Sequence, residues 1–168
     1  LAELAEEIDQ PLSAIVMAGG FGKRLHPLTE DTPKPMLPLQ GRPLLERTIE
    51  QLRKVGIGKI CISTHHKSEV IMDHFGDGSD FGVPIDYVNE DTPLGTAGAL
   101  SLMDKSDHTS LVINGDIVTQ LDFRRMLEFH HLHQAVMTVG IRKFKYKIPY
   151  GVVETDGVNI TNLAEKPD

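Results

Sequence analysis

The segment Ala18-Gly19-Gly20-Phe21-Gly22-Lys23-Arg24 puts three glycines next to two adjacent cations. Glycines let the backbone come close to a ligand and aim N–H groups at it. Lys23 and Arg24 add positive charge beside those amides, which is phosphate-binding chemistry. Two familiar phosphate loops do not fit. A dinucleotide fingerprint needs glycine at position 25, where Leu25 stands, and a Walker A loop needs glycine at 17 and serine or threonine at 24, where Met17 and Arg24 stand. Further along, Lys34 lies between Pro33 and Pro35, which restrict the backbone that carries it. Asp116 closes an apolar run, Ser110 to Ile113, where a carboxylate needs a partner. Glu90 lies five residues before Gly95 and is one of several acids near Asp91.

These residues need elements to hold them. Ala14-Ile15-Val16-Met17 is a continuous apolar run followed by glycines, as expected of a buried parallel strand. A loop spans Ala18 to Arg42. Pro43 suits a first helical position, with Leu45, Ile49 and Leu52 on one face and Gly56 beyond the end. Strands are expected over Lys59 to Ser63 and Pro84 to Val88, with a short helix over Ser68 to Phe75 between them. Thr96 to Met103 reads as a helix rich in small residues. Asp122 can cap a helix over Phe123 to His133. Strands are expected over Ala135 to Ile141, Gly151 to Glu154 and Val158 to Ala164. Alternating strands and helices give an α/β domain of three layers, with antiparallel pairing toward the end. Residues 1–12 read as a linker or the tail of a preceding domain.

The chain has 168 residues and a net charge of −7, with 17 Lys and Arg against 24 Asp and Glu. That acidity disfavours a duplex nucleic-acid binder or a polybasic membrane-surface protein. It leaves room for a small phosphorylated ligand held by a local basic cluster. Cys61 is the single cysteine, so neither an internal disulfide nor a cysteine-based zinc site is available. No apolar run approaches the ~18 residues needed to span a bilayer. The acidic start carries no signal peptide, and the cytoplasm is the expected location. His130, His131 and His133 lack the His-x-x-x-His spacing of a helical zinc site. His65 and His66 follow a strand near the expected pocket rim. Met36, Met72, Met103, Met126 and Met137 read as core filling.

The phosphate loop continues through Arg24-Leu25-His26-Pro27-Leu28-Thr29 to Thr32-Pro33-Lys34-Pro35-Met36-Leu37-Pro38. There the chain resembles the sugar-1-phosphate nucleotidyltransferases, or nucleotide-sugar pyrophosphorylases, and is most similar in look to mannose-1-phosphate guanylyltransferases. The resemblance extends in order through Pro93-Leu94-Gly95-Thr96-Ala97-Gly98-Ala99-Leu100, Asn114-Gly115-Asp116, Pro149-Tyr150-Gly151-Val152-Val153 and Glu165-Lys166-Pro167. It implies a three-layer, Rossmann-like (GT-A-like) fold over residues 13–168 with a mixed, mostly parallel sheet. It also implies that this catalytic domain lacks its C-terminal part, including a second acidic metal ligand. The polypeptide alone is therefore expected to be weakly active or inactive.

The implied reaction moves a nucleotidyl group, GMP from GTP, to a sugar 1-phosphate and releases pyrophosphate. By resemblance, Ala18, Gly19, Gly20, Gly22 and Lys23 cradle the nucleotide, with Gly95 and Thr96 beside it. Arg24 would grip the β- and γ-phosphates with its planar fork, and Lys34 would sit near the α-phosphate. Asp116 would hold Mg²⁺, a hard cation suited to carboxylate and phosphate oxygens. Glu90 occupies the family's base-reading position, where uracil and thymine users often have glutamine. A carboxylate can accept two parallel hydrogen bonds from guanine, so GTP is favoured. Gly151, Glu165 and Lys166 correspond to sugar-phosphate positions. Two alternatives stay open: a uridylyl- or thymidylyltransferase of the same family, and a nucleotide-binding regulatory module without turnover. A homo-oligomer and a fused N-terminal domain are also compatible with the resemblance.

Overall fold

A computed structural model describes residues 12–95, 97–103 and 108–167. The chain divides into two compact units, one up to Arg124 and one from Arg125 onward.

The first unit is built on four parallel strands in the order β5-β4-β1-β6. They are β1 (Ser13–Met17), β4 (Lys59–Thr64), β5 (Ile85–Asn89) and β6 (Ser110–Asn114). In the central strand β1, Ala14, Ile15 and Val16 are all buried although successive side chains point to opposite faces. Both faces are therefore covered, and the strand reads as an unbroken apolar run. One face packs Val16, Ile60, Ile62, Ile85 and Ile113 into a core with Leu45, Ile49, Leu52, Ile71 and Phe75.

Leu45, Ile49 and Leu52 come from helix α1 (Leu44–Lys54). Their spacing makes one apolar stripe, and burying each contributes about 1.5–3 kcal/mol. Glu46 in the first turn and Arg53 and Lys54 in the last suit the helix dipole. Pro43 serves as the N-cap with extended backbone, one residue earlier than expected, because it belongs to the two-residue antiparallel ladder of β2 (Pro38–Leu39) and β3 (Arg42–Pro43). Helix α2 (Ser68–Phe75) turns Ile71 and Phe75 inward. Helix α3 (Phe123–Leu132) starts with Phe123, which is buried in the same core.

Three expectations need correction. The helix expected from Thr96 to Met103 is only a 3-10 turn over Gly98–Leu102, with Thr96 itself outside the described residues. Gly95 and Ala97 both adopt positive φ, which blocks an α-helical start. No strand forms over residues 135–141, because a strand needs a ladder partner and none pairs with it among the described residues. Of the methionines assigned to core filling, Met36 is buried, whereas Met72 and Met137 are exposed. The reading of residues 1–12 falls, apart from Leu12, outside the described residues.

The described part of the second unit is dominated by an antiparallel hairpin of β7 (Gly151–Asp156) and β8 (Asn159–Glu165). Val153 and Leu163 face each other across it and are both exposed.

Candidate functional site

Parallel strands all point their carboxyl ends the same way, and ligands of open α/β sheets bind there. In the first unit, each of the four strands is followed directly by a segment singled out above. The glycine loop follows β1, His65 and His66 follow β4, Glu90 follows β5, and Gly115-Asp116 follows β6. Three backbone bonds carry the ladder one residue past the strands. Ala18 N–H donates to the Ser63 carbonyl, Glu90 N–H to Thr64 and Gly115 N–H to Met17, each at 2.8 Å. The Ala18 amide is thus used by the sheet, which corrects its expected place in the nucleotide cradle. Gly115 is buried, and a Cβ there would come within 3.2 Å of Leu45 and 3.3 Å of Val16.

The sharpest feature is an ion pair. Lys34 Nζ lies 2.5 Å from Asp116 Oδ2, with both side chains partly open to solvent. Lys34 starts a 3-10 turn (Lys34–Met36) whose neighbours Pro33, Pro35 and Met36 are buried. Fixed prolines on either side restrict the backbone from which the ammonium extends. The carboxylate at the end of β6 therefore has the partner that its place requires.

The glycine loop is braced from several sides. Gly22 has φ +65°, and a Cβ there would meet the Thr29 side chain at 3.0 Å. Thr29 is fully buried and its hydroxyl donates to the Gly22 carbonyl at 3.0 Å. Phe21 packs edge-on against His65, lies beside His66 and carries Lys23 over its ring. Lys67 reaches the Glu30 carbonyl and Asp31 beyond the loop. A Cβ on Gly19 would meet His65 at 3.2 Å and Glu90 Oε1 at 3.3 Å. Gly20 and Arg24 are exposed, with nothing near the Gly20 Cα to obstruct an incoming group.

Glu90 is 7% exposed and well bonded. Ser63 Oγ donates to its Oε1 at 3.0 Å and the Leu94 N–H donates to its Oε2 at 3.0 Å. His65 Nδ1 donates to its carbonyl at 2.5 Å. Gly95 has φ +79° and lies in open space, and the adjacent Ala97 N–H reaches the sulfur of Met17 at 3.0 Å. This ties Ala97 to the end of β1.

Within the second unit, Gly151 and Glu165 are register partners, and a Cβ on Gly151 would lie 3.1 Å from Glu165 Oε2. Lys166 Nζ is 4.0 Å from Glu165 Oε1, and its backbone adopts φ +47°. The expected sugar-phosphate trio is thus gathered on one end of the hairpin.

Thr29 and Ser63 are the residues that reading the sequence missed. Their one visible signal is a hydroxyl where an apolar residue would suit the surroundings. Cys61 is no nucleophile candidate: burial in β4 and the nearby Asp86 carboxylate push its thiol pKa up and keep it protonated. Among the described residues no three His, Cys, Asp or Glu side chains converge as a metal cage. Asp116 alone supplies a carboxylate, which fits Mg²⁺ once the Lys34 ammonium leaves it, since that ion takes one or two carboxylates plus substrate phosphates. No described helix is long and apolar enough to cross a membrane.

Comparison with known proteins bears on the family and the fold. Residues 13–168 match the family model described as nucleotidyl transferase. The chain is 37% identical over 147 residues to mannose-1-phosphate guanylyltransferase of Mycobacterium tuberculosis, covering 86% of this chain and 41% of that protein. It is 34% identical to D-glycero-alpha-D-manno-heptose 1-phosphate guanylyltransferase of Aneurinibacillus thermoaerophilus, covering 92% of this chain and 68% of that one. The crystal structure of HddC from Yersinia pseudotuberculosis complexed with GMP-PN superposes with a TM-score of 0.60 at 26% identity, over 93% of this chain and 70% of that chain. The chain spans about half the length of most of the curated relatives that it matches. From the glycine loop after β1 to the last described strand, this chain belongs to the nucleotidyl transferase family, among the sugar-1-phosphate nucleotidyltransferases.

Proposed function

We propose that the first unit binds a nucleoside triphosphate, GTP by preference, and that the protein transfers its nucleotidyl group to a sugar 1-phosphate. The observation that carries this is the Lys34–Asp116 pair at the carboxyl edge of the sheet, together with the glycine loop that follows β1. An oxygen of the sugar phosphate attacks the α-phosphorus in line. The bond from that phosphorus to the bridging oxygen breaks, and pyrophosphate leaves with the electron pair. The attacking oxygen is already anionic at neutral pH, so no general base is required. Catalysis rests on positioning and charge neutralisation.

In this reading the amides after Ala18 hold the phosphates, and Arg24 takes the departing β- and γ-groups. Lys34 turns from Asp116 to the α-phosphate when the nucleotide arrives. Asp116 would hold Mg²⁺, which supplies further neutralisation of the phosphate oxygens. Gly151, Glu165 and Lys166 would meet the sugar 1-phosphate. The guanine preference is supported by the acceptor-only carboxylate of Glu90 and by the guanylyltransferase names of the relatives.

Thermal denaturation with GTP, UTP, dTTP, CTP and ATP, each with Mg²⁺, tests the reading. A ligand at 100 times its Kd stabilises the folded state by about 2.7 kcal/mol. GTP is expected to give the largest rise in Tm. A larger rise with UTP or dTTP would keep the chemistry and replace the base. No rise with any nucleotide would sink the proposal for this chain.

A further inference from the structure

Glu90 combines two properties that rarely coincide in a ligand-reading side chain. It is almost wholly buried, and each carboxylate oxygen accepts one hydrogen bond from a different element. Ser63 reaches it from β4 and is itself fully buried, while the Leu94 amide reaches it from the loop after β5. Its backbone is fixed as well, by Thr64 on one side and the His65 ring on the other. A carboxylate has about four lone-pair sites. Two are taken here, one on each oxygen, and one on each remains.

We infer that Ser63 is a specificity-positioning residue, which locks the Glu90 carboxylate into one orientation so that its two remaining lone pairs select the base. The inference rests on the reading of Glu90 as the base acceptor. Two fixed parallel acceptors match the adjacent N1–H and N2–H donors of guanine. Uracil and thymine present one N–H between two carbonyls, which places acceptor against acceptor. Adenine and cytosine present one donor beside one ring-nitrogen acceptor. A carboxylate free to rotate would discriminate less, because it could turn one oxygen away from the mismatched group. Without the Ser63 donor, Oε1 keeps no protein partner and is freed to move. Ser63 is fully buried and presents no surface to a ligand, so its effect should fall on selectivity alone.

The test is calorimetric binding of GTP, ITP and UTP, with Mg²⁺, to the 168-residue chain and its variants. ITP lacks the 2-amino group and reports the second hydrogen bond separately. Ser63→Ala should weaken GTP binding about 10-fold and leave UTP binding within about 2-fold, the scale of one charge-assisted hydrogen bond. Ser63→Cys, near-isosteric and only a weak donor, should fall between Ser63→Ala and the wild type, and it serves if the alanine variant does not fold. Glu90→Gln should erase the preference of GTP over ITP and UTP.

If Ser63→Ala or Ser63→Cys weakens GTP and UTP equally, the residue is merely structural and the inference is overturned. If Glu90→Gln erases selectivity and the Ser63 variants do not change it, the positioning role fails while the base reading stands. If Glu90→Gln leaves selectivity intact, or the wild-type chain does not prefer GTP to UTP, both readings fail together.

Discussion

The two units hold their functional residues in opposite ways. In the first, three of the residues at the sheet edge are anchored by something buried. Lys34 stands between buried prolines, Gly22 is held by Thr29, and Glu90 by Ser63. In the second, Glu165 and Lys166 sit on an exposed hairpin whose register is set by backbone pairing. Ile160 and Leu163 on the same hairpin are each about 70% exposed. The first unit gains precision from its core, whereas the hairpin gains only the order that one ladder gives. A two-stranded hairpin is marginal in water without a packed face.

Truncating one leucine in each unit would break this comparison most directly. Leu45→Ala removes a side chain with no exposed surface and should cost about 2–5 kcal/mol. Leu163→Ala on the hairpin should stay within about 0.5 kcal/mol, as exposed substitutions do. Urea denaturation of the two variants measures both, and equal losses would mean that the hairpin is as firmly packed as the sheet.

A smaller effect, and one of opposite sign for two ligands, is expected at Lys34. Lys34→Met removes the cation from Asp116 and from the nucleotide together. Binding of Mn²⁺ without nucleotide, followed by its electron paramagnetic resonance signal, should tighten. GTP binding should weaken about 10- to 100-fold, the scale of a lost charge-assisted bond. If both ligands weaken, the ion pair organises the site and does not compete with the metal.

The smallest effect lies on the surface of the first unit. Hydrogen bonding and attraction from Lys54, then Arg42, hold the Glu50 carboxyl below its usual pKa. Its contribution is therefore present above the unfolded pKa of about 4.3 and is lost as pH falls through the lower folded value. Glu50→Gln should flatten that acid limb slightly, and added salt should do the same to the wild type. A large change in Tm at pH 7 would contradict this placement at an exposed site.

Much of this was legible in the sequence because it depends on neighbours along the chain. The run Ala14 to Met17 declared a buried strand, and the spacing of Leu45, Ile49 and Leu52 declared a helix face. Glycines and cations after the first strand marked a candidate phosphate loop, and the structure has that loop following the carboxyl end of β1. What stayed hidden depends on residues distant in sequence. Ser63 and Glu90 are separated by 27 positions, and no local pattern links a hydroxyl in one strand to a carboxylate after another. The apolar alternation through Met137, Val139 and Ile141 suggested a strand, yet alternation marks only a candidate face and cannot supply the ladder partner. The small residues of Thr96 to Met103 suggested a helix by composition, while positive φ angles at Gly95 and Ala97 decided otherwise.

The ladder bonds of Ala18, Glu90 and Gly115 each fall one residue past the end of a strand. Up to that residue the chain obeys the sheet, and beyond it the chain is free of it. The boundary separates what can be varied from what cannot. Exchanging the residues just past Glu90 would leave the register of every strand undisturbed. Gly115 is the exception, since Leu45 and Val16 close over the space a side chain would need. Of the three boundaries, two open into loops and one is a fixed wall, and the fixed wall is the one that carries Asp116.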